Sequence, residues 1–209
     1  MSQEILQRIE KGIQYRDMSM AAVDDRMVVQ GYATTFNDPY ILYEDEEMRI
    51  LEQVEPGAFK NADMRDVIMQ YDHRGHVFAR IRNNTLDVRT DDKGLFISAD
   101  LGGTDIGRQL YQEIKGGYTD KMSFAFTVTG ENVDRRTEGT QRIITRTITE
   151  VGKVYDVSAV SIPANDGTTI SARSFCDGII QKEHEESMLK AAEERTRKLI
   201  LLRLKLMEV

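Results

Sequence analysis

Within Lys121-Met122-Ser123-Phe124-Ala125-Phe126 a single hydroxyl stands among bulky apolar residues, in a segment that follows the Gly116-Gly117 turn. A serine hydroxyl is a poor nucleophile at neutral pH. It needs a base within hydrogen-bond reach, and the base needs a third group to hold its orientation. Residues of the right type lie upstream in Asp72-His73 and downstream in Tyr155-Asp156-Val157-Ser158-Ala159-Val160. An imidazole titrates near working pH, so it can accept the serine proton and return it to a leaving amine. Of the three histidines, His184 falls in a charged tail, which leaves His73 and His76 as candidate bases. Together these are the parts of a serine protease.

Such groups must be carried on rigid elements, and the pattern around them is mostly that of β-structure. Met122, Phe124, Phe126 and Val128 alternate with Ser123, Ala125 and Thr127, so one face of this strand is core and the other can line a site. Val67-Ile68-Met69 has the length of a buried strand, which puts His73 at or just beyond its end. Further strands are expected at Met27 to Phe36, Arg49 to Val54, Val77 to Ile81, Thr85 to Arg89, Leu95 to Ala99, Ile143 to Ile148 and Val154 to Ile162. Asn83-Asn84 is a hairpin signal, and Asp91 to Gly94 forms a second turn. Glu131 to Gly139 reads as a solvated hairpin tip. About eight short strands with interrupting helices suggest a closed or nearly closed barrel.

Helices are expected at four places. Ile5, Ile9 and Ile13 recur at spacing four over residues 1 to 17, and a short helix follows Glu55-Pro56-Gly57 from Ala58 to Met64. Thr104 caps a helix with Ile106, Leu110 and Ile114 on one face, ended by Gly116-Gly117. Residues 181 to 209 lack Gly and Pro, are dense in Glu, Lys and Arg, and place Leu199, Leu202, Leu206 and Val209 at heptad spacing. That seam can pair with a helix of another protein, with a second copy, or with the chain's own barrel. The organisation read from the sequence is an N-terminal appendage over 1–25, a β-domain over 26–175 and a helical tail over 176–209.

Composition narrows the classes further. With 209 residues, 40% of them hydrophobic, the chain can bury one substantial core. A net charge of -7 argues against a nucleic-acid partner, which would call for a basic face. Cys176 is the only cysteine, so an intramolecular disulfide framework is ruled out. No apolar run approaches the length of a membrane span, and none forms a secretory signal. Asp72, His73 and His76 make a lone D-H-x-x-H group, too weak a signal for a metal site. Gly102-Gly103-Thr104 lacks the lysine of a phosphate-binding loop and reads as a helix cap. Neither metal nor cofactor is expected.

Six short segments occur in order: GYATTFN at 31 to 37, EPGAF at 55 to 59, QYDHRGHVFARI at 70 to 81, DDKGL at 91 to 95, KMSFAF at 121 to 126 and YDVSAVSIPAN at 155 to 165. In this order they resemble the tailed-phage (caudovirus) prohead serine protease family, which is related in fold to the herpesvirus assembly proteases. The resemblance implies a herpesvirus-protease-like closed β-barrel with flanking helices. It also implies a serine endopeptidase that cleaves scaffold and the N-terminal segment of the major capsid protein precursor, and that cleaves itself. Such an enzyme works in the host cytoplasm, packaged inside the immature prohead, with those proteins as partners and without nucleic acid or membrane. A homodimer or higher oligomer is compatible with it.

The resemblance also distributes roles. Ser123 is the nucleophile. In the family pattern a histidine follows an apolar strand and precedes a strand carrying an arginine, here Arg80, which favours His73 over His76 as the base. An ionisable residue followed by Val-Ser marks the third member as Asp156, with Glu150 as the alternative. Two features depart from the pattern: Lys121 stands where glycine often precedes Met-Ser, and the stretch from Ser161 to Gly167 has no arginine for an oxyanion loop. The competing reading is a catalytically silent capsid-assembly or scaffold-binding factor.

Overall fold

A computed structural model of the chain describes residues 13–23, 27–161 and 170–207. Its strands are β1 (Ile13–Val23), β2 (Val28–Thr35), β3 (Tyr40–Glu44), β4 (Met48–Val54), β5 (Ile68–Tyr71), β6 (Arg74–Arg80), β7 (Leu86–Thr90), β8 (Gly94–Asp100), β9 (Lys121–Glu138) and β10 (Gln141–Val160). They are joined by helix α1 (Asp105–Lys115), and α2 (Ile170–Met207) follows the last of them. The chain divides between Ala172 and Arg173 into two units, the first holding the sheet.

The sheet runs β3-β4-β10-β9-β1-β2-β8-β7, with β5 attached to β10 and β6 to β5. β9 and β10 form one long antiparallel hairpin that is the spine of this sheet. Along its other edge β10 takes two parallel partners in turn, β4 over 142–148 and β5 over 156–159. That branch places the β5–β6 ribbon beside the last residues of β10, and the candidate site lies there.

The expected barrel does not close. A circuit from β10 through β9, β1, β2, β8 and β7 would return by β6 and β5, but β6 and β7 share no ladder. The hairpin expected at Asn83-Asn84 is replaced by a 3-10 turn over Ile81–Asn83, followed by Asn84 in the left-handed conformation at φ 59°. The turn carries the chain out of β6 before β7 can pair with it. Side chains from both flanks of the seam still enter one core, which includes Phe59, Met69, Ala79, Leu86, Ile97 and Phe124. Phe124 and Phe126 stack at 4.5 Å in its centre.

Other expectations change in physical detail. Residues 13–17 are strand and not helix, paired with Phe126 to Ser123 through Gln14 to Asp17; residues 1–12 lie outside the described residues. In place of the helix expected from Ala58 to Met64, residues 56–61 form successive turns closed by Ala58 N–H to Glu55, Lys60 N–H to Gly57 and Ala62 N–H to Phe59, and Asp63 bridges Lys153. The charged segment 131–138 is not a tip but the outer half of β9, paired with β10 throughout. Thr104 caps α1 as expected, its hydroxyl accepting from Gly107 N–H, and Leu110 and Ile114 are buried while Ile106 is exposed. In α2, the seam at Leu199, Leu202 and Leu206 lies outside the described side chains, and Val209 outside the described residues.

A buried ionic network ties four strands of the sheet together. Glu52 of β4 accepts from Arg16 of β1, Arg146 of β10 and Tyr40 of β3. Burial pulls the Glu52 carboxyl upward, but Arg16 first, then Arg146 and Tyr40, hold it below the usual carboxylate range. Arg16 also lies over the Phe126 ring at 5.8 Å.

Candidate active site

Ser123 faces the side of the sheet away from the Phe124–Phe126 stack, because successive side chains of a strand alternate. Its direct partner on β10 is Ser158, and the next partners on the same face are Ala125 and Asp156. Ser123, Asp156 and Ser158 therefore form a compact polar patch, and all three are buried. Across the other edge of β10, Ser158 is opposite Gln70 of β5.

His73 reaches this patch from a two-residue hairpin. Tyr71 pairs with Arg74, so Asp72 and His73 are the central residues, with φ of 48° and 57°. Positive φ at both centres is the signature of a type I′ turn, which matches the twist of the flanking strands but is unfavourable for residues other than Gly, Asn and Asp. Asp72 meets the requirement with a local network. Its N–H donates to the Ala159 carbonyl at 2.9 Å, and its carboxylate accepts from Ser161 N–H at 3.0 Å and from the Ser161 hydroxyl. The turn is thereby fixed to the end of β10. On its far side, Gln70 Nε2 donates to the Gly75 carbonyl at 3.4 Å.

In that position His73 Nδ1 lies 2.5 Å from Asp156 Oδ1. An ionised carboxylate accepts, so the Nδ1–H tautomer is selected and Nε2 keeps its lone pair. Nε2 and Ser123 Oγ are both buried, and the Ser123 hydroxyl makes no hydrogen bond among the described residues. The Ser158 hydroxyl, by contrast, donates to Asp156 Oδ1 at 2.8 Å. Of two serines facing each other across the ladder, one is committed to the carboxylate and the other is not.

A model of the caudovirus prohead serine protease family matches residues 14–209. The chain belongs to that family. No curated protein and no solved structure matched the chain. In this prohead serine protease the patch brings together a hydroxyl on β9, an imidazole on the β5–β6 turn and a carboxylate on β10.

Glu150, the alternative third member, is exposed at an irregularity of β10 opposite Gly130, whereas it is Asp156 that meets the imidazole. His76 is exposed on β6 and lines a cleft of about 460 Å³ between β6 and α1, together with Arg74, Phe78, Leu110 and Glu113. Arg80 closes the opposite end of the β5–β6 ribbon, its guanidinium bound to both carboxylate oxygens of Asp66 at 2.8 and 2.5 Å. Lys121 begins β9, with its ammonium 3.4 Å from the Ser19 hydroxyl. Ile162 to Gly167, the stretch compared with an oxyanion loop, lies outside the described residues. Sequence reasoning missed Ser158 and Gln70 as members of the patch. The Asp156-x-Ser158 alternation could have signalled the first, but Gln70 becomes visible only through the parallel register of β5 on β10.

Proposed function

We propose that this prohead protease is a Ser-His-Asp endopeptidase in which Ser123 is the nucleophile, His73 the general base and Asp156 the residue that orients it. The observation that carries the reading is the His73–Asp156 hydrogen bond, formed on the same sheet face and one alternate position along the ladder from Ser123. Ser123 Oγ attacks the scissile carbonyl as Nε2 of His73 takes its proton. Asp156 stabilises the imidazolium through Nδ1–H, the proton passes to the leaving amine, and water repeats the sequence to release the acyl group. Backbone N–H groups near the nucleophile would hold the developing oxyanion.

The substrates that fit the family are the scaffold and the N-terminal segment of the major capsid protein precursor, with self-cleavage of the protease. They would be met inside the immature head, in the host cytoplasm. The tail helix α2 suits a segment that brings the enzyme to scaffold, and loss of residues 181 to 209 should then reduce its incorporation into heads.

Co-expression of the capsid precursor with wild-type protein or Ser123→Ala, followed by intact mass measurement of both chains, tests the central reading. Cleavage by the wild type alone is expected, and the masses locate the bonds cut. Intact precursor in both, with the two proteins folded and co-assembled, would move the reading to a silent assembly factor.

A further inference from the structure

Asp156 Oδ1, the oxygen that meets His73, has a second close donor in the Ser158 hydroxyl, at 2.5 and 2.8 Å respectively. We propose that Ser158 is a positioning residue of the active site, acting on the imidazole through Asp156; this rests on the Ser-His-Asp reading above. A carboxylate on a strand turns about two side-chain bonds, and only some of those rotamers present an oxygen to the imidazole. A hydroxyl two residues along the same face, bonded to that same oxygen, holds it in place.

Ser158 is well placed for this. Its backbone lies between two ladders, opposite Ser123 on β9 and Gln70 on β5, so its Cβ is fixed by three adjacent strands. It is fully buried, and a buried hydroxyl gives up its hydrogen bonds to water and must replace them within the protein. Its bond goes to an ionised acceptor, the stronger kind. The same bond engages the Ser158 hydroxyl away from Ser123, so that one serine of the facing pair supports the carboxylate and the other serves as nucleophile. The Ser158 hydroxyl bonds the carboxylate and not the Ser123 hydroxyl.

The test is a double-mutant cycle on the full chain, comparing wild type, Ser158→Ala, Asp156→Ala and the double variant. Readouts are the rate of Ser123 labelling by a fluorophosphonate, kcat and KM on a capsid-precursor peptide, and the thermal unfolding midpoint. Ser158→Ala is expected to slow labelling and kcat roughly 10- to 100-fold with KM little changed, the size of one lost hydrogen bond to a charged group. In the Asp156→Ala background the same change should cost almost nothing, because its acceptor is already gone. Equal losses in both backgrounds, or a loss that follows the unfolding midpoint, would make Ser158 a packing residue and overturn the inference. Wild-type labelling unaffected by Ser158→Ala would overturn it too while leaving the protease reading intact. Absence of Ser123 labelling in folded wild type would remove both.

Discussion

Asp156 and Glu150 lie on one strand, yet Asp156 alone of the two meets an imidazole. The sequence leaves them in competition because β10 changes register against β9 at several places between Ile148 and Asp156, and each change exchanges the faces of the residues that follow. No spacing rule survives such irregularities. Replacement separates the two carboxylates: Asp156→Ala should lower kcat by about 10⁴-fold, as loss of the orienting carboxylate does in serine proteases generally, while Glu150→Ala should leave cleavage within about two-fold, as for an exposed side chain away from the chemistry. Comparable losses in a peptide-cleavage assay would refute the assignment. The strand that carries Ser123 and the strand end beside His73 were legible because both are local features, while the roles proposed for them came with the resemblance. The turn holding His73 was not, since its positive φ values depend on Asp72 being anchored to Ala159 and Ser161. Asp72→Ala removes the carboxylate anchor, and should lower kcat more than it raises KM in the same assay.

Among the elements, α1 and the strands flanking the site were readable from period and caps, but β1 was not. The helix was expected from Ile5, Ile9 and Ile13 at spacing four, and in β1 the buried positions among the described side chains, Ile13, Arg16 and Met20, likewise fall three and four apart and not at every second residue. The cause is its place inside the sheet between β9 and β2, with Arg16 buried by an ion pair and not by apolar packing. β3 went unnoticed because its five residues alternate only weakly in burial. The Glu52 network that joins β1, β3, β4 and β10 has a measurable weight. Glu52→Ala would leave Arg16 and Arg146 without their buried carboxylate, and should cost about 3–5 kcal/mol in urea unfolding. A change under about 1 kcal/mol, the range of an exposed pair, would show the network to be solvated.

For the molecule as a whole, acid is the sensitive direction. Hydrogen bonds from Arg80 to Asp66, from Arg65 to Asp63, from Tyr32 to Asp91 and from Tyr43 to Asp45 hold these carboxyls below their ordinary values, as the network does Glu52. A carboxyl depressed in the folded state adds stability above its unfolded value and loses it as pH falls through the folded one. The urea midpoint should therefore hold steady above about pH 5 and decline below about pH 4, where unfolded carboxyls begin to protonate. A midpoint that rises on acidification would contradict these pairings. At this scale the sequence and the resemblance anticipated the β-rich class and overshot in closing the ring, because ring closure depends on one turn, Ile81 to Asn84, whose residues also suit a hairpin.

The open seam beside β6 has a consequence for amide exchange. The proposed nucleophile rides on β9, hydrogen-bonded along both edges by β1 and β10, whereas the proposed base rides on a ribbon whose ladder to the sheet is the four residues of β5 paired with β10, supplemented by the bonds of Asp72 to Ala159 and Ser161. Local opening follows the number of backbone bonds that must break together. Deuterium should enter β6 well before the amides around Ser123, and histidine and serine would then part and rejoin by movement of one partner, with the spine of the sheet unexchanged.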